Sequence, residues 1–333
     1  MTTAERVAAV LDIPASGVWS LALLGAFLVV PTTYRILALR RRPGEVTRGR
    51  VRRVGTWWAL FALLCLVLAA GRGAVVLTML AISLLALRES LRLAASPGLY
   101  RWLSVPAIGL YAWLWSASLG PFLRWLPVAL LALAALATLG HLRGGIATGG
   151  RPGRGLSLAL FSSVVGPSYA VGVATLPAPE SLPETGFGWL VLLLILTGVH
   201  DSAQAWWGRT FGSRPLAPVL SPNKTLEGLW GGLATTAMVS VFVAPTLTPF
   251  GRVAPPGFVA ESPAWIPAAA LGLVTGLAGT AGDLAASALK RAAGVDDSGD
   301  LVPGHGGVLD RFDSLAATAP VFFFASYLLW FRG

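Results

Sequence analysis

The residues able to do chemistry concentrate near the C-terminal end of the chain. Asp283, Lys290, Arg291, Asp310, Arg311 and Asp313 fall within 31 positions. Ser287, Lys290 and Arg291 follow Asp283 at offsets of 4, 7 and 8, which puts all four on roughly one helical face. A loop with Gly299, Pro303, Gly304, Gly306 and Gly307 comes next, and Asp310 opens another apolar run. Carboxylates at two helix ends, Asp283 and Asp310, can converge on one divalent cation. Hard oxygen donors with few other ligands suit Mg²⁺. Glycines let backbone N–H groups approach phosphate oxygens closely, and Lys290, Arg291 and Arg311 can neutralise phosphate charge. These are the parts of a phosphoryl- or nucleotidyl-transfer site. Any one of these charges could simply anchor a helix end, but six so close together, two against apolar runs, argue for a site. With only three histidines in the chain, His305 reads as a phosphate hydrogen-bond donor or a loop-packing residue, not as part of a His-rich metal site.

A second polar stretch runs from His200 to Gly232. It holds Asp201, Arg209 and Arg214, then Ser221-Pro222-Asn223-Lys224-Thr225-Leu226-Glu227-Gly228. That run reads as a loop ending at a helix start. Helix N-termini attract phosphate, and Lys224 adds positive charge. The plain alternative is an ordinary capping loop.

These stretches must be positioned by membrane spans. Of the 333 residues, 55% are hydrophobic and only 12% charged, too few charges to coat a soluble enzyme. The same composition excludes a disordered chain. The lone Cys65 excludes an internal disulfide and a Cys-based zinc site. Ten apolar runs are read as spans, near 18–38, 56–71, 73–87, 102–119, 122–140, 156–176, 187–206, 227–247, 264–289 and 314–331. The second and third can form a tight hairpin. The fold class is therefore all-α, a polytopic integral membrane protein of about ten transmembrane helices. The first 16 residues, with Glu5, Arg6 and Asp12, do not read as a cleavable signal.

Charge placement sets the expected orientation. Alternating the loops puts 19 of the 25 basic residues on one side. The positive-inside rule makes that side cytoplasmic and places both termini outside. Arg40–Arg53 reads as a juxtamembrane lipid-facing cluster, not a nucleic-acid site, since no aromatic residue is interleaved before Trp57. Residues 1–166 hold 17 basic and 4 acidic residues, and residues 167–333 hold 8 and 11. This divides the chain into a hydrophobic scaffold half, 1–197, and a catalytic half, 198–333. There is no internal repeat of the transporter kind.

Ser287-Ala-Leu-Lys290-Arg291, then Asp297, then Pro303-Gly304-His305-Gly306-Gly307-Val-Leu-Asp310-Arg311-Phe-Asp313 closely resembles the signature of the phosphatidate cytidylyltransferase (CDP-diacylglycerol synthase) family. Ser221-Pro222-x-Lys224-Thr225-x-Glu227-Gly228, preceded by Gly208-Arg209-x-Phe211-Gly212, is similar to that family's second block. The resemblance covers about residues 198–331. It implies CTP + phosphatidate → CDP-diacylglycerol + pyrophosphate on a polytopic α-helical fold dependent on Mg²⁺; the charge placement puts both polar blocks at the cytoplasmic face of the cell's inner membrane. Carried over by position, Asp283 and Asp310 would hold Mg²⁺, and the family admits a K⁺ beside it and a homodimer. Asp283, Asp310, Lys290 and Arg311 would carry the reaction. Ser221, Lys224, Thr225, Glu227, Ser287, Arg291, Asp297, His305, Gly306, Gly307 and Asp313 would bind substrate.

Four positions depart from the pattern. Asp296 stands where the family usually has Lys, a charge change of −2 beside the site. Asn223 stands where Lys is common, and Gln204-Ala205 where Ala-Tyr is frequent. These bear on nucleotide affinity and lipid choice, and they fit a divergent paralogue. Two other readings stay open: a CTP-dependent membrane enzyme acting on another lipid phosphate or a polyprenol, and a non-catalytic lipid-binding or transport protein.

Overall fold

The computed structural model describes residues 3–11, 45–116, 152–176, 187–249, 263–301 and 306–331, with scattered positions between 18 and 40 and between 120 and 129. In chain order its helices are α1 (Thr3–Leu11), α2 (Glu45–Ala69), α3 (Arg72–Leu93), α4 (Tyr100–Ser116), α5 (Pro152–Leu160) and α6 (Gly166–Val173). Then come α7 (Phe187–Phe211), the strands β1 (Pro215–Ala217) and β2 (Ser221–Thr225), α8 (Leu226–Leu247), α9 (Trp265–Ala293) and α10 (Leu309–Ser326). The strands pair antiparallel, so the stretch read as a loop before Leu226 is a small β-ribbon. Among the described residues the other regular elements are helical, as expected.

Among the described residues, six helices are long and apolar enough to cross a membrane: Arg72–Leu93, Gly155–Val173, Phe187–Phe211, Leu226–Leu247, Trp265–Ala293 and Leu309–Leu329. They coincide with six of the ten expected spans. The expected span 56–71 contains a shorter apolar helix, Trp58–Ala69, and α4, in the expected 102–119, has 17 residues. The runs 18–38 and 122–140 lie largely outside the described residues. The expected tight hairpin forms: α2 ends at Ala69, α3 starts at Arg72, and Gly71 turns between them at φ +82°.

In lipid, helices associate through close packing more than through the hydrophobic effect, which favours small residues at their contacts. The sequence of α9 supplies them. A Cβ on Gly272 would lie 2.8 Å from the Ala237 backbone of α8, one on Gly276 2.7 Å from the ring of His200 on α7, and one on Gly282 2.6 Å from the Asp313 carbonyl on α10. Helix α9 is thus the hub against which α7, α8 and α10 pack. Between α5 and α6 a five-residue π-turn, Phe161–Val165, precedes Pro167. The missing N–H of that proline frees a carbonyl one turn back, which is where such a turn forms. The apolar core crosses both halves of the chain and includes Leu68, Val75, Tyr111, Tyr169, Leu193 and Phe322. The hydroxyl of Tyr169 donates to the Phe122 carbonyl at 2.8 Å, which satisfies it inside that core.

One consequence decides where chemistry can occur. The C-terminal ends of α3, α7 and α9 meet the N-terminal ends of α5, α8 and α10 at one face of the bundle. Glu89 of α3 accepts the N–H of Leu309 on α10, Lys224 beside α8 reaches Gln204 of α7, and Gly155 of α5 packs on Ala94 and Leu289. The polar stretches of the sequence are the connections at this face.

Candidate functional site

The β-ribbon is fixed to the bundle by residues of the second motif. Thr225 caps α8, its Oγ1 accepting the Gly228 N–H at 3.1 Å. Gly208, Gly212 and Gly228 surround that side chain so closely that a Cβ at any of them would crowd it. Glu227 accepts the Ser213 N–H at 3.0 Å, the Ser213 hydroxyl at 2.7 Å and the Arg214 N–H at 3.2 Å. The segments 208–214 and 221–228 therefore fold as one unit. Thr225 and Glu227, expected at the substrate, have these oxygens committed to the chain itself. Ser221 is half-buried at the start of β2.

Lys224 points from β2 into the bundle. Its Nζ forms an ion pair with Asp283 of α9 and donates to Gln204 Oε1 at 3.0 Å. A polar line continues inward from there. Gln204 Nε2 donates to Thr280 Oγ1 at 3.0 Å, and Thr280 meets His200 Nε2 at 2.9 Å. His200 Nδ1 meets Thr236 Oγ1 at 3.2 Å, while the Thr236 hydroxyl donates to the Gly232 carbonyl at 2.7 Å. Since Thr236 gives its proton to Gly232, the network assigns the His200 hydrogen to Nδ1, and Nε2 accepts from Thr280. His200 is fully buried, and this line satisfies it.

Helix α9 ends in a Schellman turn: Gly294 has φ +72°, with Gly294 N–H to Arg291 O and Val295 N–H to Lys290 O. The turn leaves Lys290 facing α10, where its Nζ donates to Asp310 Oδ1 at 2.7 Å. Asp310 Oδ2 accepts three more donors: Ser298 N–H at 2.8 Å, Ser298 Oγ at 2.9 Å and Gly307 N–H at 3.0 Å. Gly306 has φ +81° and lies under Asp310 and Asp297; a Cβ there would be 2.8 Å from Asp310 Oδ2. That explains a glycine at 306, whose backbone disfavours any side chain. The exposed Arg291 pairs with Asp296 and donates to the Leu220 carbonyl of the ribbon turn at 3.4 Å. The residue replacing the family's usual Lys thus engages one of the expected phosphate-binding cations.

The sequence draws no attention to Glu89, yet its carboxylate is buried beneath this loop. Oε1 accepts the Val308 N–H at 3.0 Å; Oε2 accepts the Leu309 N–H at 2.8 Å and lies 2.9 Å from Ser298 Oγ. At Gly307 a Cβ would collide with Ser298 and Glu89. The glycine-rich loop is expected to offer amides to phosphate, but those of Gly307, Val308 and Leu309 bond Asp310 and Glu89.

The acids and bases form one electrostatic unit. Asp201, Asp283 and Asp313 lie within electrostatic reach of one another, and Lys290 senses Asp283 and Asp313 as well as its partner. Ser314 Oγ donates to Asp201 at 3.1 Å, joining α10 to α7. Arg311 is exposed and acts on Asp201. Ser287 is buried on α9 one turn beyond Asp283. His305 lies outside the described residues. Among the described residues no three His, Cys, Asp or Glu side chains converge as a complete metal cage. Mg²⁺ is commonly held by one or two carboxylates plus substrate phosphates, and that smaller set is what this face offers. Asp283 and Asp310 each have an oxygen engaged by an ammonium group, Lys224 and Lys290, so a cation there would have to share or displace it.

Asp201, His200, Gln204 and Thr280 were legible in principle. Ionisable or polar groups inside an apolar span mark a site by default, and positions 200, 201 and 204 share one face of α7. Glu89 and Ser298 had no such signal, because their meeting is a contact across 209 residues.

Residues 51–329 match the cytidylyltransferase family. The chain is 35% identical over 311 residues to the uncharacterized protein YnbB of Escherichia coli K12, covering 92% of this chain and 96% of that one. It is 41% identical over 152 residues to a phosphatidate cytidylyltransferase of Haemophilus influenzae, covering 45% of this chain and 48% of that one. A phosphatidate cytidylyltransferase of Brucella suis is 35% identical over 224 residues, with 64% and 72% covered. Spans, signature positions and match together lead to one conclusion: this integral membrane chain belongs to the cytidylyltransferase family.

Proposed function

We propose that the chain transfers a cytidylyl group from CTP to phosphatidate, forming CDP-diacylglycerol and pyrophosphate for phospholipid synthesis. The observation that carries this is the meeting at one face of the bundle of Lys224–Asp283, which ties the second block to α9, and Lys290–Asp310, which ties α9 to α10. The names of the Haemophilus and Brucella relatives support the lipid substrate. Exposed aromatics Trp206, Phe211 and Trp230, at the same ends of α7 and α8, support placing the site at a membrane–water interface. Charge distribution supports a cytoplasmic site and external termini.

In this reading a phosphatidate oxygen attacks the α-phosphorus of CTP, a new P–O bond forms, and the bond to pyrophosphate breaks. A phosphate monoester is largely dianionic near neutral pH, its second pKa being about 6, so it needs no general base. The obstacle is repulsion between anions. Lys224, Lys290, Arg291 and Arg311 converge on this face to reduce it. Mg²⁺ held by Asp283 and Asp310 together with the nucleotide phosphates would supply further charge neutralisation. Asp310 would have to share or release Lys290 to do so, which would free that ammonium for the leaving pyrophosphate.

The test is turnover of purified protein in detergent with CTP and a panel of lipid phosphates. Phosphatidate is expected to give the highest kcat/KM, and preference for a polyprenyl phosphate would replace the lipid assignment. A second expectation concerns Asp296. It holds Arg291 in an exposed pair, and such pairs are worth about 1 kcal/mol or less. Asp296→Lys frees Arg291 and adds a cation, so the CTP KM is expected to fall by about three- to tenfold. An unchanged KM would mean that Arg291 does not meet the nucleotide.

A further inference from the structure

We infer that Glu89 is a positioning residue for the cytidylyl-transfer site, its buried carboxylate setting where α10 begins and hence where Asp310 stands. The inference rests on the function proposed above. Glu89 is 2% exposed, and it lies on α3, outside the part of the chain that carries the signature. The first amides of a helix have no partner inside it. In α10 those of Val308 and Leu309 are taken by the two oxygens of Glu89. A carboxylate also suits the positive end of the helix dipole. The next residue is Asp310.

A second route runs through Ser298. Its hydroxyl lies 2.9 Å from both Glu89 Oε2 and Asp310 Oδ2, and its N–H donates to Asp310 at 2.8 Å. One hydroxyl proton is therefore shared between two carboxylates, and Ser298 fixes their separation. Gly299 and Gly307 press on the same group; a Cβ on Gly299 would lie 3.1 Å from Glu89 Oε1. Both neighbours need to be small for Glu89 to reach this loop. The carboxylate thus touches both routes to Asp310 without being in the exposed part of the site.

Glu89→Gln keeps the shape but must turn one NH₂ towards an N–H or O–H donor. The experiment combines steady-state kinetics with hydrogen exchange on the full chain in detergent. For the variant, kcat with CTP and phosphatidate is expected to fall about 30-fold, with the CTP KM changed less than about threefold, as for misplacement of reacting groups. Exchange of the Val308 and Leu309 amides is expected to rise about tenfold, while α7 stays protected. Glu89→Asp, which keeps the charge, should recover part of kcat. A kcat within threefold of wild type would overturn the inference, as would exchange rising equally in α7 and α10, which marks a general structural clip. If Glu89→Gln yields no folded protein, Ser298→Ala decides: reduced kcat with faster exchange at Leu309 supports the positioning role, and unchanged kcat overturns it. If the wild type does not turn over CTP, the proposed function fails, and protection of the Val308 and Leu309 amides that is lost in Glu89→Gln still decides whether Glu89 sets the loop.

Discussion

Asp310→Asn is expected to lower turnover with CTP and phosphatidate by roughly 1,000-fold, the scale of losing a charge-stabilising group at a reacting phosphate. The geometry shows why an amide does not substitute. Oδ1 accepts the Lys290 ammonium and Oδ2 accepts three donors. An NH₂ at either position faces a donor. Lys290 would also be left without its partner in a mostly buried place, a loss of about 3–5 kcal/mol where burial is complete. Turnover must therefore be measured beside thermal unfolding. Asp283→Asn separates the two effects. Its side chain is 28% exposed, and its partner Lys224, 12% exposed, keeps the Gln204 Oε1 acceptor when the charge is removed, so a smaller loss of stability than for Asp310→Asn is expected, measured by the same unfolding curves. The same collapse of turnover is expected. Pyrophosphate release within threefold of wild type in both folded variants would remove Asp283 and Asp310 from the reaction.

Gly282→Ala should couple packing to chemistry. Helices α9 and α10 touch here so closely that the added methyl would lie 2.6 Å from the Asp313 carbonyl and 2.9 Å from Ala317 Cβ. Neither is a flexible side-chain end, so the helices must separate. Overpacking of this kind costs about 1–3 kcal/mol. Asp283 follows Gly282 directly, and Asp310 and Asp313 ride on α10. A shift of about 1 Å between the carboxylates is expected to reduce kcat about 100-fold. Unfolding curves and kcat on one preparation check both parts. A fully active, equally stable variant would show that α9 and α10 do not need this contact.

The site was partly legible in the residues. Lys224, Asp283, Lys290 and Asp310 stand out because charge beside an apolar span is costly and needs a reason. The structure pairs them across helices, whereas residue types alone suggested only that they converge. Thr225 and Glu227 belong to a recognisable block, yet their oxygens hold the ribbon and the end of α7. A motif records both substrate contacts and the hydrogen bonds that shape the loop, and spacing does not separate the two. Glu89 lies beyond what a linear pattern reveals, since its partners are 209 to 220 residues away. Span reading fared best for long runs such as 187–206 and 264–289. At 56–71 and 102–119 the apolar helical segments, Trp58–Ala69 and the 17 residues of α4, fall short of the roughly 20 residues a bilayer requires.

The fate of the CTP phosphates distinguishes cytidylyl transfer from phosphoryl transfer. Purified protein in detergent is supplied with Mg²⁺, phosphatidate and CTP labelled at either the α- or the γ-phosphate. The account predicts that α-label enters the lipid fraction, γ-label leaves as pyrophosphate in equal amount, and neither occurs without both substrates. Transfer of γ-label to lipid with release of CDP would contradict it and identify a kinase, and CTP binding with no transfer of either label to phosphatidate would contradict the assigned reaction.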